Sequence, residues 1–185
     1  MIKKFDDNRS NKFIFLPFCS LAQAFHARGL VKYEWTSVLT PIIREIINSD
    51  INIIQMPCPE SLFPTLEEGL NRQPLSYSHY NNDLFRQHCH TLAKNVLKQI
   101  KTLQNEGYKI VCILGIQFSP SCAIDLQYTN KGNIKLSGIF IQELKGLLKD
   151  EKISIPFIGI NRRGIKPSLD RLKKIIAESS ELPLF

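Results

Sequence analysis

The sequence predicts a three-layer α/β/α domain with a mostly parallel, Rossmann-like sheet. Short apolar runs alternate along the chain with longer segments in which apolar residues recur every three or four positions. The runs are continuous and rich in β-branched residues, which is typical of strands buried on both faces. Strands and helices that alternate at this spacing predict a parallel sheet covered by helices on both faces and joined by right-handed crossovers.

The predicted elements follow one another in the order β-α-β-α-β-α-β-α. The strands are expected at residues 13–18, 51–56, 108–115 and 153–160, and the helices at residues 36–47, 82–105, 138–148 and 168–177. Ser49 and Asp50 close the first helix, and Gly107 lies just past the second, where a glycine C-cap is favoured. In this fold class ligands bind at the carboxyl ends of the strands, so the loops that follow the strands are the candidate functional segments.

Length and composition predict a single domain, residues 1–185, with a polar N-terminal tail at residues 1–12. The chain is 43% hydrophobic and 22% charged, which supports a substantial buried core and argues against disorder. No apolar run reaches the length of a membrane-spanning helix, and the polar first residues do not resemble a secretion signal. We therefore expect a cytoplasmic protein with no membrane partner.

The net charge of +7 attracts polyanions without identifying one, and the simpler interpretation of this charge is a soluble surface. Basic residues are densest around the last predicted helix, at Arg162, Arg163, Lys166, Arg171, Lys173 and Lys174. No zinc-finger or aromatic RNA-binding motif accompanies them, and the phosphate-binding glycine loops and the G-x-S-x-G motif do not occur. Nucleic-acid binding is therefore not expected, although a nucleotide or an RNA-borne substrate remains compatible with the charge.

The five cysteines show no C-x-x-C pair, and their odd number in a chain without an export signal argues against a disulfide framework. Cys112 lies inside the third apolar run, where we expect a buried, inert thiol. Cys89 is flanked by His88 and His90, but adjacent helical side chains project about 100° apart and cannot converge on one ion.

Cys19, Cys58 and Cys122 each follow a predicted strand, so their loops open at the same edge of a parallel sheet. Three thiolates gathered there suggest a soft metal centre with one open position, for which His26 is a possible fourth ligand. Buried loop thiols, and thiol redox chemistry between Cys19 and Cys58, are the alternatives.

Several segments together resemble a known family, in this order along the chain: FLPFC with AQAFHARG, IIQMPCPE, GIQFSPSCAID, SGIFIQEL and IPFIGINRRG. They resemble the thiouracil desulfidases (TudS-like, DUF523-related), in particular the branch of TudS-related putative desulfidases, over residues 13–165. The resemblance departs from the family pattern at Ala123, where a glycine is usual, and around Cys19, where the usual SACLLG motif is missing.

The resemblance implies an enzyme that removes sulfur hydrolytically from a small thiolated compound such as thiouracil. It implies that Cys19, Cys58 and Cys122 hold a 4Fe-4S cluster whose open iron binds the substrate sulfur while water adds to the carbon. Glu60 resembles the family's acidic residue and is the candidate general acid or base, with Ser119 and Ser121 positioning water or substrate.

Alternatives stay open beside this interpretation. Glu60 could simply open a helix, and the two serines could be turn-forming hydroxyls. The whole chain could be a non-catalytic metal-binding or sulfur-carrier module, or a nucleotide-binding α/β domain. Thiolated RNA bases also stay open as substrates, and the exact substrate and the oligomeric state are not predicted.

Overall fold

The computed structural model describes residues 7, 9–32, 36–63, 72–129 and 132–181. Most of the predicted N-terminal tail, residues 1–6 and 8, lies outside the described residues. The described part of the chain forms a mixed α/β fold in which helices flank a mostly parallel sheet. The predicted three-layer α/β/α class is confirmed.

Four parallel strands build the main sheet. They are β1 (Lys12–Pro17), β2 (Asn52–Met56), β3 (Lys109–Ile116) and β6 (Phe157–Ile160), arranged in the order β2-β1-β3-β6. The chain therefore adds β2 on one side of β1 and the later strands on the other side. In open α/β sheets such a change of direction, here between β1 and β3, leaves a crevice at the carboxyl ends of the strands.

The four predicted helices are present, and the structure adds two four-residue helices and a 3-10 turn that were not predicted. In chain order these elements are α1 (Phe18–Leu21), a 3-10 turn (Gln23–Phe25), α2 (Thr40–Asn48), α3 (Tyr77–Tyr80), α4 (Asp83–Asn105), α5 (Ile139–Asp150) and α6 (Ile165–Glu181). The Asn82 side chain caps α4 by accepting a hydrogen bond from the Phe85 N–H at 2.9 Å. Gly107 ends α4 with φ +87°, as the predicted glycine C-cap requires.

Two hydrophobic cores lie on the two faces of the sheet. The first joins the sheet to α4 and α5, and the second joins it to α2 and α6. Along β1, Phe15 belongs to the first core while Ile14 and Leu16 belong to the second, and all three are fully buried. Burying each such side chain contributes about 1.5–3 kcal/mol, so a strand filled with apolar residues on both faces is strongly favoured.

A short antiparallel hairpin was not predicted. Its strands, β4 (Leu126–Thr129) and β5 (Gly132–Lys135), follow β3 and form a second, two-stranded sheet. Every residue of β5 is exposed, so the segment lacks the apolar alternation that reveals a strand. Within the described residues we find no helix with the length and apolar character that a membrane crossing would need.

Candidate functional site

A pocket of about 390 Å³ opens at the carboxyl edge of the main sheet, beside β1 and β3. The chain supplies its walls from the segments after β1, β2, β3 and β6, from residues 72–77 and from the β4–β5 hairpin. The position is the one expected for a ligand site in this fold class. All six predicted site residues line this pocket: Cys19, Cys58, Glu60, Ser119, Ser121 and Cys122.

A buried ion pair forms the polar floor of the pocket. Arg72 Nε donates to Glu60 Oε2 at 3.3 Å, and the side chains of Arg72 and Glu60 are only 4% and 12% exposed. The same guanidinium donates to the carbonyl of Phe25 at 2.7 Å and lies 3.8 Å from the Cys58 sulfur. A charge is tolerated in such a place only with partners of this kind, so the pair fixes Glu60 in one orientation.

Two serine hydroxyls converge on the other carboxylate oxygen. Ser121 Oγ donates to Glu60 Oε1 at 2.6 Å, and Ser119 Oγ donates to the same oxygen at 3.2 Å. Ser119 Oγ also accepts from the Cys122 N–H at 3.0 Å, which is the turn-forming role considered as an alternative. The hydroxyl of Ser119 therefore both stabilises its own turn and contacts the carboxylate.

Close packing fixes the loop that carries these serines. A Cβ at Gly138 would collide with the backbone of Ser121, and one at Gly115 would collide with the carbonyl oxygen of Cys122. The N–H of Ile139, in the first turn of α5, donates to the carbonyl of Pro120 at 3.0 Å. Only glycine allows two backbones to approach this closely, so Gly115 and Gly138 position the pocket wall.

Phe118 is held in a left-handed backbone conformation, with φ +68°, in the same loop. Its ring stacks on Tyr128 of the hairpin, with ring centroids 4.1 Å apart and an interplanar angle of 18°. A second stacked pair, Phe18 on Phe25, lines the pocket as well, with centroids 3.6 Å apart. Aromatic surface therefore covers two walls of the pocket.

The three pocket cysteines carry free thiols in a poorly solvated environment. Desolvation, with a smaller contribution from Cys58, raises the pKa of the Cys19 thiol to about 12. Burial also raises the pKa of Cys58, and it raises that of Cys122 well above its ordinary value. The three thiols are consequently protonated near neutral pH.

His26 lines the pocket beside Arg162, whose Nη1 donates to the Nε2 atom of the imidazole. Burial, with the positive charges of Arg162 and Arg72 acting in the same direction, lowers the pKa of His26 to about 4. The imidazole is therefore neutral and already accepts a hydrogen bond. Cys89 and Cys112 lie elsewhere and are fully buried in the two cores.

Several pocket residues could not be found in the sequence. Arg72 lies in no motif, and its importance follows only from its contact with Glu60. Gln127, whose side chain donates to the Ser119 carbonyl at 2.7 Å, belongs to the hairpin that the sequence did not reveal. Arg162 and Arg163 were noticed for their charge, but nothing in the sequence assigned them to the pocket.

Comparisons with known proteins give two matches and one negative result. A model described as the Tctex-1 family matches residues 64–126, about a third of the chain. The uncharacterized protein MJ0003 of Methanocaldococcus jannaschii is 25% identical over 104 residues, which cover 56% of this chain and 60% of that protein. The chain therefore spans less than two thirds of the length of this relative. No solved structure matches.

These findings correct the family resemblance drawn from the sequence. The resemblance to the thiouracil desulfidases is wrong, because the family model that matches is that of the Tctex-1 family and the archaeal relative carries no assigned function. The predictions of desulfidase activity and of a small thiolated substrate, which depended on this resemblance, are therefore wrong as well. Isolated short motifs such as PCPE and SPSC were too little to define a family.

The predicted 4Fe-4S cluster on Cys19, Cys58 and Cys122 is wrong as well. Within the described residues, no group of three or more His, Cys, Asp or Glu side chains is placed to hold a metal ion. The cysteines instead contribute weakly polar surface to the pocket.

Proposed function

We propose that this protein is a binding module that takes a small organic molecule into the pocket at the carboxyl edge of its sheet. The observation that carries the proposal is the pocket itself, about 390 Å³ in volume and lined by residues from every strand end of the main sheet. Ligand pockets are typically of this size, largely apolar, and equipped with a few convergent polar groups. Here the convergent groups are Glu60, Arg72 and Ser121.

The six residues expected from the sequence keep a place in this proposal as ligand contacts. Glu60, Ser119 and Ser121 offer hydrogen-bonding atoms that are already held by one another, so they lose little freedom when a ligand binds. Cys19, Cys58 and Cys122 offer polarizable, uncharged surface around them.

A ligand-observed NMR screen of small organic fragments tests the proposal. Leu30 lines the pocket and is 46% exposed, whereas its neighbour Val31 is 40% exposed and is not among the lining residues. We expect Leu30→Trp to obstruct the pocket and to lower the affinity for fragments about tenfold or more, because the indole occupies part of the ligand volume. Val31→Trp adds the same bulk outside the pocket and is the matched control.

Two results would overturn the proposal. One is the absence of any fragment that binds the wild-type protein in the millimolar range. The other is a set of fragments that bind Leu30→Trp, Val31→Trp and wild type equally, which would place their site elsewhere on the surface.

A second candidate function, the binding of a protein partner, is favoured by the Tctex-1 match to residues 64–126. Tctex-1 proteins are dynein light chains, so purified dynein is the partner to test. On this alternative we expect dynein to co-sediment with this protein. We expect Leu84→Glu to weaken the association, because Leu84 is an apolar side chain of the matched segment and is 56% exposed. Absence of co-sedimentation would contradict this candidate.

The proposal also concerns domain organisation and location. We propose that residues 1–185 form one domain, since the pocket draws residues from Pro17 to Arg163. We further propose a cytoplasmic location, which the five free thiols support because a reducing compartment maintains them.

A further inference from the structure

We infer that the ligand of this pocket is an aromatic organic anion, a molecule with a flat ring and a carboxylate or phosphate group. The inference deepens the proposed function and rests on it. It rests on two features of the pocket other than the hydrogen bonds among Glu60, Ser119 and Ser121. These features are the charge of the lining residues and the aromatic walls.

The described lining residues carry an excess of positive charge. They include three guanidinium groups, Arg72, Arg162 and Arg163, and among them a single carboxylate, that of Glu60. Glu60 is ion-paired with Arg72, whereas Arg163 forms no ion pair with a described carboxylate, so its positive charge is available at the pocket lining. A partly desolvated concave site with a positive potential concentrates anions.

Arg162 and Arg163 lie just after β6, beyond Asn161, in the loop that leads into α6. A hydrogen bond from the Arg163 N–H to Asn161 Oδ1 at 3.1 Å and one from the Gly164 N–H to the Asn161 carbonyl at 3.2 Å fix the turn. The loop thus presents two adjacent guanidinium groups at the carboxyl edge of the sheet. Guanidinium groups recognise carboxylate and phosphate oxygens through paired hydrogen bonds, which favours an oxyanion as the ligand group.

The positive charges in this part of the pocket also act on a neighbouring titratable group. The charges of Arg162 and Arg72 act in the same direction as burial in lowering the pKa of His26 to about 4. Protonated His26 is therefore disfavoured partly because positive charge already surrounds it. An anion placed in the same region would instead be attracted by these positive charges.

The aromatic walls indicate the rest of the ligand. Tyr128 stacks on Phe118, and the Arg163 guanidinium carbon lies 5.9 Å from the centre of the Tyr128 ring. Arg163 Nη1 also donates to the Tyr128 hydroxyl at 3.3 Å, which keeps the cation beside the aromatic surface. A flat ring can pack against such walls while its anionic group reaches the arginines.

Binding of three probes of similar size tests the inference: benzoate, phenyl phosphate and benzyl alcohol, which is the uncharged match of benzoate. Dissociation constants come from NMR titration of the labelled wild-type protein. We expect at least one of the two anions to bind about tenfold or more tightly than benzyl alcohol, and the stronger of the two identifies the oxyanion.

Variants then assign the effect to the pocket. We expect Arg163→Gln to weaken the anions about tenfold while leaving benzyl alcohol unchanged, because one charged donor is lost and the aromatic walls remain. Arg171→Gln removes the same charge from an exposed position of α6 that does not line the pocket, and we expect it to change nothing. We expect Tyr128→Leu to lower the affinity for all three probes severalfold, because the aromatic ring that packs against them is lost.

Benzyl alcohol binding as tightly as both anions would overturn the inference, and so would equal weakening by Arg163→Gln and Arg171→Gln. Failure of all three probes, when the fragment screen finds an uncharged ligand that Leu30→Trp excludes, overturns the anion inference and leaves the pocket proposal standing. Failure of the probes together with an empty screen overturns both.

Discussion

The Glu60–Arg72 pair is the residue-scale feature on which the pocket depends. Its two charges are largely withdrawn from water, with 12% and 4% of the side chains exposed. Desolvation of this kind costs free energy, and the attraction between the two charges offsets this cost. A buried ion pair therefore adds little net stability while it is intact. Removing one partner is different, because the other charge then stays buried without compensation.

We expect Glu60→Gln to lower the free energy of unfolding by about 3 kcal/mol, since Arg72 would keep its charge and lose its carboxylate. Urea denaturation followed by circular dichroism measures the effect. Glu45→Gln is the control, because Glu45 lies 3.6 Å from Lys173, whose side chain is 53% exposed. An exposed pair of this kind is worth at most about 1 kcal/mol. Equal losses in the two variants would show that the buried pair has no special role.

The sequence predicted single residues well where burial decides their role. Cys112 was expected in the core from its place inside an apolar run, and it is fully buried. Glu60, Ser119 and Ser121 were selected as candidates and do lie together, although their chemical role stays a prediction. Arg72 was missed because its partner is 12 positions away in the chain and the contact depends on how the intervening segment returns to the pocket.

At the scale of elements, the start of α5 determines the shape of the serine loop. Gly138 precedes the helix and lies so close to the backbone of Ser121 that no side chain fits between them. Its own backbone is ordinary, with φ −65°, so the requirement for glycine comes from space and not from conformation.

We expect Gly138→Ala to lower the free energy of unfolding by about 1–3 kcal/mol, because the loop must move away from the helix to admit the methyl group. Gly146→Ala is the matched control in the same helix, where an added Cβ meets nothing within 4 Å. There alanine should raise stability by up to about 1 kcal/mol through its better helix propensity. Thermal unfolding of the two variants checks both signs, and a stable Gly138→Ala would contradict the close packing described for this loop.

Element boundaries were predicted less accurately than element types, for identifiable reasons. The fourth run was expected to form a strand from residue 153, but the strand begins at Phe157. Ile153 instead helps to end α5 by donating its N–H to the Leu148 carbonyl at 2.9 Å, after Lys152 with φ +56°. An apolar residue can cap a helix as well as extend a strand, and its hydrophobicity alone does not distinguish the two roles.

At the scale of the whole molecule, the strand order explains why residues far apart in sequence share one pocket. Since β1 lies between β2 and β3, the loops after these three strands are neighbours at one edge of the sheet. The sequence predicted the class of sheet and the shared edge, because parallel strands impose both. It did not predict the order of the strands or the β4–β5 hairpin, which supplies Gln127 and Tyr128 to the pocket.

The segment that matches the Tctex-1 model, residues 64–126, is only part of this architecture. Among the described residues it contains α3, α4 and β3, and it ends at the first residue of β4. β3 is a central strand that pairs with β1 on one side and β6 on the other, and both partners lie outside the segment. α4 also loses α5, against which it packs in the first core.

We therefore expect a fragment of residues 64–126 not to fold by itself. A single strand cannot satisfy its backbone hydrogen bonds without a partner, and an isolated helix without its tertiary contacts is only marginally stable in water. The fragment should show some helical signal from α4 but no cooperative urea transition and no dispersed amide NMR spectrum, whereas the full chain shows both. Cooperative unfolding of the fragment would mean that this segment is an autonomous unit, and it would favour the binding of a protein partner over the binding of a small molecule in the pocket.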